Sequence, residues 1–168
     1  MSRSLYLVKD SRLCQQTIKR GEKMKDKNWK NCEDKVQGKF DHVESTFKRA
    51  REYYESLEDD SFTEVDNEFE SHEDFYDFLN NYGLSWDYVE PNTFDGQERG
   101  YFRYQLSWGG PADEFRIFLT YSPTQYGHHL DIDFIEYWFL DWYDGASIKI
   151  DRDSESWSVC ESFLETDS

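Results

Sequence analysis

The stretch Phe102-Arg103-Tyr104-Gln105-Leu106-Ser107-Trp108-Gly109-Gly110-Pro111, with Phe115-Arg116-Ile117-Phe118-Leu119 close behind it, decides the fold class. Phe102, Tyr104, Leu106 and Trp108 alternate with Arg103, Gln105 and Ser107, the period of two that half-buries a strand. Gly109-Gly110-Pro111 reads as a turn, and Phe115, Ile117 and Leu119 resume the alternation beyond it. Strands joined by so short a connection run antiparallel, because a parallel pair needs a crossover of about a dozen residues or more.

Toward the carboxy terminus, Leu130, Ile132 and Phe134 begin a further strand that continues through Tyr137-Trp138-Phe139. Tyr143-Asp144-Gly145 predicts a hairpin into Ala146–Ile150, and Trp157, Cys160 and Leu164 recur at the 3–4 spacing of a closing helix. Toward the amino terminus, Leu84–Glu90 precedes the turn sequence Pro91-Asn92-Thr93-Phe94-Asp95-Gly96. Before it, Phe75, Phe78, Leu79 and Tyr82 share one face of a helix, with Ser71 as its cap, Asp74 at the third position and Gly83 at its end.

A longer helix precedes that one. Trp29, Val36, Val43, Ala50 and Leu57 recur every seven residues, and Cys32, Phe40, Phe47 and Tyr54 fill the adjoining line. Gly38, with Asp41 and Glu44 as an acidic capping pair behind it, predicts a break and a firm helix over 41–58. The stripe has two readings: a helix packed on its own sheet, or a seam between two copies through residues 29–57. Leu5, Leu7 and Val8 fit a short strand or the start of a helix. The expected class is α+β, with amino-terminal helices, an antiparallel meander sheet of four to five strands and a carboxy-terminal helix. The expected division is a basic amino-terminal segment over 1–40, helical or flexible, and an acidic α+β domain over 41–168.

Composition narrows the function classes. The 168 residues include 36 Asp and Glu against 19 Lys and Arg, for a net charge of −17. Six Trp, twelve Tyr and thirteen Phe separate the chain from acidic disordered sequences, which are poor in aromatics. Cys14, Cys32 and Cys160 form neither a disulfide framework nor a CxxC metal pair, which points to a reducing, cytoplasmic setting. No window approaches the roughly 18 apolar residues of a membrane span, and residues 1–20 lack the apolar core of a signal peptide. Direct binding to duplex DNA or to an anionic membrane is not expected, since approach to phosphate would be repulsive.

Candidate chemistry is sparse. His129, Asp131 and Asp133 share one face of a strand and have the ligand types of a divalent ion, but that face alternates with Leu130, Ile132 and Phe134 and reads as solvated. Alternation from Leu130 places Glu136 on the apolar side between Phe134 and Trp138. That position calls for a bulge near Glu136, or for a partner such as Arg103 or Arg116. Gly109-Gly110-Pro111 is followed by Asp113-Glu114, which would repel a phosphate. No nucleophile–base arrangement is readable, so neither an enzyme nor a cofactor is expected.

The charge, by contrast, is strongly zoned. Residues 1–50 carry 13 Lys and Arg against 7 Asp and Glu, whereas residues 51–168 carry 6 against 29. The densest run holds twelve acids and no Lys or Arg between Glu52 and Asp77. Glu52, Glu55, Asp59, Asp60, Glu64, Asp66, Glu68, Glu70, Glu73, Asp74 and Asp77 are the expected partner-binding face. Asp66, Glu70, Glu73 and Asp77 would form one stripe if helix continued through 66–77. Like charges at that spacing each cost a helix roughly 0.2–0.5 kcal/mol, so such a stripe calls for a compensating use.

In size, acidity and aromatic content the chain resembles the small phage and plasmid proteins that inhibit restriction or CRISPR systems, some by imitating DNA. The runs Tyr104–Arg116 and Glu136–Ala146 are similar to a pattern in mobile-element proteins. The resemblance implies a non-enzymatic inhibitor whose acidic face mimics DNA phosphates. Its partner would be a basic nucleic-acid-binding protein such as a nuclease or CRISPR effector. An immunity protein or antitoxin that neutralises a basic toxin nuclease is the alternative, using the same electrostatics.

Overall fold

A computed structural model describes residues 5–6, 31–58, 69–125 and 127–165. In chain order the elements are β1 (Leu5–Tyr6), α1 (Cys32–Glu58), α2 (Phe75–Tyr82), β2 (Ser85–Val89), β3 (Tyr101–Gln105), β4 (Ala112–Thr124), β5 (Gly127–Asp141), β6 (Asp144–Lys149) and α3 (Glu155–Glu165). The sheet order is β1-β6-β5-β4-β3-β2, antiparallel throughout. The α+β meander therefore stands, with five full strands and a two-residue β1 paired on β6. Among the described residues no helix is long and apolar enough to cross a membrane.

Helix α1 runs unbroken for 27 residues, about 40 Å at the α-helical rise. The break expected at Gly38 is absent. A helical Gly costs only about 1 kcal/mol against Ala, and Val36 and Phe40 on either side are buried in the core. The cap lies further upstream: Asn31 Oδ1 accepts from Asp34 N at 2.9 Å, and Asp144 of β6 accepts from Cys32 N at 2.8 Å. The division placed at residue 40 thus falls inside one helix. Cys32, Val36, Phe40, Val43, Phe47, Ala50 and Tyr54 are all buried in the common core with Phe115, Ile135 and Tyr137 of the sheet. The stripe is consumed by the chain's own sheet, and among these residues no apolar face remains for a seam between two copies. Leu57 is exposed, and Trp29 lies outside the described residues.

Glu44 does not cap its own helix. Its carboxylate accepts from Glu155 N at 2.7 Å, Ser156 N at 2.9 Å and Ser156 Oγ at 2.5 Å, and so closes the amino terminus of α3 from across the core. Ser154 Oγ accepts from Trp157 N at 3.1 Å and completes that cap. Helix α2 also starts later than the sequence suggests. Residues 69–74 are turns and bends, and Asp74, not Ser71, is the cap, accepting from Asp77 N at 2.8 Å.

The long β4–β5 ribbon carries a bulge. Phe118 opposes Phe134 and Leu119 opposes Ile132, so Asp133 is the extra residue. Side-chain direction reverses there. Ile132 packs against the core, but from that point Ile135, Tyr137 and Phe139 face the helices. Phe134 is therefore not on the core face, as simple alternation implied; it stacks on Phe118 with ring centroids 4.4 Å apart. Strand β3 ends at Gln105, and Trp108, read as a strand residue, is 78% exposed in the following turn. The β5–β6 hairpin forms, with its turn at Trp142-Tyr143 rather than at Asp144-Gly145, which pair within the ladder.

Candidate functional site

The acidic face depends on how α1 meets the 69–82 segment. Tyr54 donates to Phe69 O at 2.9 Å and packs at a tilt against Phe75, and Arg51 lies 4.5 Å over the Phe75 ring. Phe69, Phe75 and Phe78 are buried, which ties residues 69–78 to the carboxy-terminal half of α1. On this part of the molecule Glu52, Glu55, Glu70, Glu73 and Asp74 are exposed and Asp77 is half-buried.

These carboxylates are not equivalent. Glu52 lies 3.9 Å from Lys48, one turn earlier on the helix. Asp74 is occupied as the α2 cap. Asp77 accepts from Glu73 N at 3.2 Å and from Asn81 Nδ2 at 3.0 Å, and lies 3.3 Å from His72 Nδ1. Asp74 and Asp77 thus have structural duties, which explains part of the acidic density at a helix start, where carboxylates are favoured. Because 69–74 is not helical, the helical stripe expected through Glu70, Glu73 and Asp77 does not form. Asp59, Asp60, Glu64, Asp66 and Glu68 lie outside the described residues.

A second constellation occupies the face of the sheet turned away from the helices. Arg103, Glu114, Arg116, Glu136 and Trp138 line a cavity of about 570 Å3 there, with the Phe94–Arg99 segment at its rim. Arg103 binds Asp87 through two bonds of 3.0 and 2.7 Å, and its other terminal nitrogen lies 3.9 Å from Glu114. Arg116 Nε donates to Glu114 at 2.6 Å, while its guanidinium lies 4.0 Å over the Trp138 ring and 5.0 Å over Tyr101. The Glu114 side chain is only 5% exposed, a buried carboxylate held between two guanidiniums.

Glu136 sits on this open face with Phe134 and Trp138, directly opposite Arg116. The bulge that decides its direction is at Asp133, three residues before the expected place. Its carboxylate accepts from Trp138 Nε1 at 2.9 Å. Of the metal candidates, Asp133 is taken by Arg99 at 2.8 Å and Asp131 accepts from Ser122 Oγ at 3.3 Å; the His129 side chain lies outside what is described. Among the described residues no group of three His, Cys, Asp or Glu is placed to hold a metal.

Sequence reasoning named Arg103, Arg116 and Glu136 but missed Glu114 and Trp138 as their companions. Four of the six basic residues after residue 50, Arg99, Arg103, Arg116 and Lys149, lie on this face. Arginines at alternate strand positions in a domain otherwise nearly without cations were the available signal.

The two buried thiols are chemically quiet. Burial first, and then the Asp144 carboxylate, push the Cys32 thiol up to about 12. Complete burial drives Cys160 higher still. Neither has the lowered pKa of a nucleophile. No protein-family model, curated protein or solved structure matches the chain.

Proposed function

We propose that this protein is a non-enzymatic inhibitor of a nucleic-acid-binding host-defence protein, of the restriction or CRISPR type, acting in the cytoplasm of the host cell. Its acidic face stands in for DNA phosphates. The observation that carries the reading is the exposure of Glu52, Glu55, Glu70 and Glu73 on the one part of the molecule where α1 packs against residues 69–78. An aromatic core beneath them fixes the backbone from which they project. Duplex DNA carries one charge per roughly 1.7 Å of axis, and the grooves that bind it are correspondingly cationic. A rigid carboxylate array competes for such a groove, with association steered by charge and weakened by salt.

The test uses the full chain as bait in lysate of the host. The expected capture is a basic nucleic-acid-binding protein, released by excess duplex DNA and by raised salt. The Glu55→Lys, Glu70→Lys, Glu73→Lys triple variant spares the capping carboxylates Asp74 and Asp77 and should melt like the parent yet capture nothing. Undiminished capture by that variant refutes the acidic face. Capture of a toxin nuclease would direct the same electrostatics to immunity.

A further inference from the structure

We propose that the cavity on the open face of the sheet binds a guanine-type nucleobase, a flat ring that accepts hydrogen bonds from Arg116 and donates to Glu136. This rests on residues separate from the acidic face and stands or falls without it. The cavity, about 570 Å3, lies in the ordinary range of roughly 300–1,000 Å3 for small-molecule sites. Its walls include Phe118, Trp138 and Leu140, with Phe94 at the rim, apolar surface beside the Arg116 guanidinium that lies over Trp138 and Tyr101.

Two polar groups there have unused capacity. Arg116 spends Nε on Glu114, and its two terminal nitrogens have no hydrogen-bond partner among the described residues. Glu136 spends one oxygen on Trp138 and leaves the other without a hydrogen bond among them. Arg116 and Glu136 face each other across β4 and β5, so donors and an acceptor are presented side by side.

Charge selects among planar ligands. Arg99 is paired with Asp133, Arg103 with Asp87 and Arg116 with Glu114, Lys149 of β6 stands opposite Glu136 in the ladder, and Asp95 and Glu98 add negative charge at the rim. No surplus of positive charge remains to hold a phosphate, so the base or nucleoside is favoured over the nucleotide. Guanine offers adjacent O6 and N7 acceptors to an arginine and N1–H and N2–H donors to a carboxylate; adenine places a donor where guanine has O6.

Calorimetric titration of the full chain with guanosine, adenosine and guanosine monophosphate tests this. Guanosine should bind saturably, and the other two at least about fivefold more weakly. E136Q keeps an oxygen for Trp138 and replaces the acceptor offered to the ring by an amide. It should weaken guanosine binding at least about fivefold while melting stays at or above that of the parent. No saturable binding at millimolar guanosine, equal binding of adenosine, or guanosine binding indifferent to E136Q overturns the assignment. Should E136Q fold poorly, the guanosine-to-adenosine ratio of the parent decides alone.

Discussion

Replacing Glu44 by Ala removes the acceptor for three donors at the start of α3: Glu155 N, Ser156 N and Ser156 Oγ. Ser156 is fully buried, so water cannot substitute there without opening the interface. An unsatisfied buried donor costs about 1–3 kcal/mol, and bonds to a charged acceptor lie toward the upper end of hydrogen-bond contributions. With Glu155 N near the surface and recoverable by water, E44A should cost about 3 kcal/mol. E44Q, which retains one acceptor oxygen but turns an amide toward a donor, should cost roughly half as much. For a chain of this length each kcal/mol moves Tm by about 2–4 °C, so E44A should melt about 6–12 °C lower. Urea unfolding followed by tryptophan fluorescence and far-ultraviolet circular dichroism measures both variants. Ser156→Ala should be less than additive with E44A, because part of the loss is shared. An E44A variant within about 0.5 kcal/mol of the parent, the range of ordinary surface substitutions, would refute the cross-core cap.

Three further outcomes are expected. Glu114→Ala leaves Arg103 and Arg116 without their buried common partner and should cost about 3–5 kcal/mol in urea unfolding, whereas Glu90→Ala on the exposed surface should change little. Gly83→Ala puts a Cβ 2.1 Å from Tyr104 Cε2, on a ring anchored by its hydroxyl to Leu79 O at 2.6 Å, and should destabilise by about 1–3 kcal/mol in thermal melts. The third concerns pH: Cys32 is raised to about 12 in the fold against about 8.5 when unfolded, so the unfolded chain releases this proton first. Its contribution is complete below pH 8.5 or so and is lost as pH rises toward 12. Tyr104 and Tyr137, also raised by burial, act in the same direction. Stability should therefore fall across that alkaline window, and less steeply in Cys32→Ala; a parent and variant with superimposable alkaline profiles would contradict the burial of the thiol.

The fold was readable where periodicity and turn chemistry agreed. The Phe102–Leu119 alternation about Gly109-Gly110-Pro111 and the Phe75, Phe78, Leu79 cluster became a hairpin and a helix in the expected order. Local rules failed where distant residues intervened. Gly38 looked like a boundary, yet packing of Val36 and Phe40 on the sheet carries the helix through it. Asp41 and Glu44 had the spacing of a cap, but Glu44 serves a helix more than a hundred residues away. The acidic density between Glu52 and Asp77 was plain, whereas the separation of displayed Glu70 and Glu73 from the capping pair Asp74 and Asp77 needed the α2 start to be known. The Glu114, Arg116, Trp138 grouping spans two strands whose register depends on the offset at Asp133, which alternation alone does not show.

That offset makes the interior of β5 a question of parity. Ile132 packs on the core before the offset, and the odd-numbered Ile135, Tyr137 and Phe139 do so after it. Loss of Asp133 alone would only remove the surplus residue and leave Ile132, Phe134 and Ile135 alternating in their present pairings, whereas loss of one residue between Ile135 and Phe139 would turn the side chains on one side of the cut to the opposite face. Away from Asp133, changes of chain length within this strand are therefore tolerable in twos, or opposite a matching change in β4.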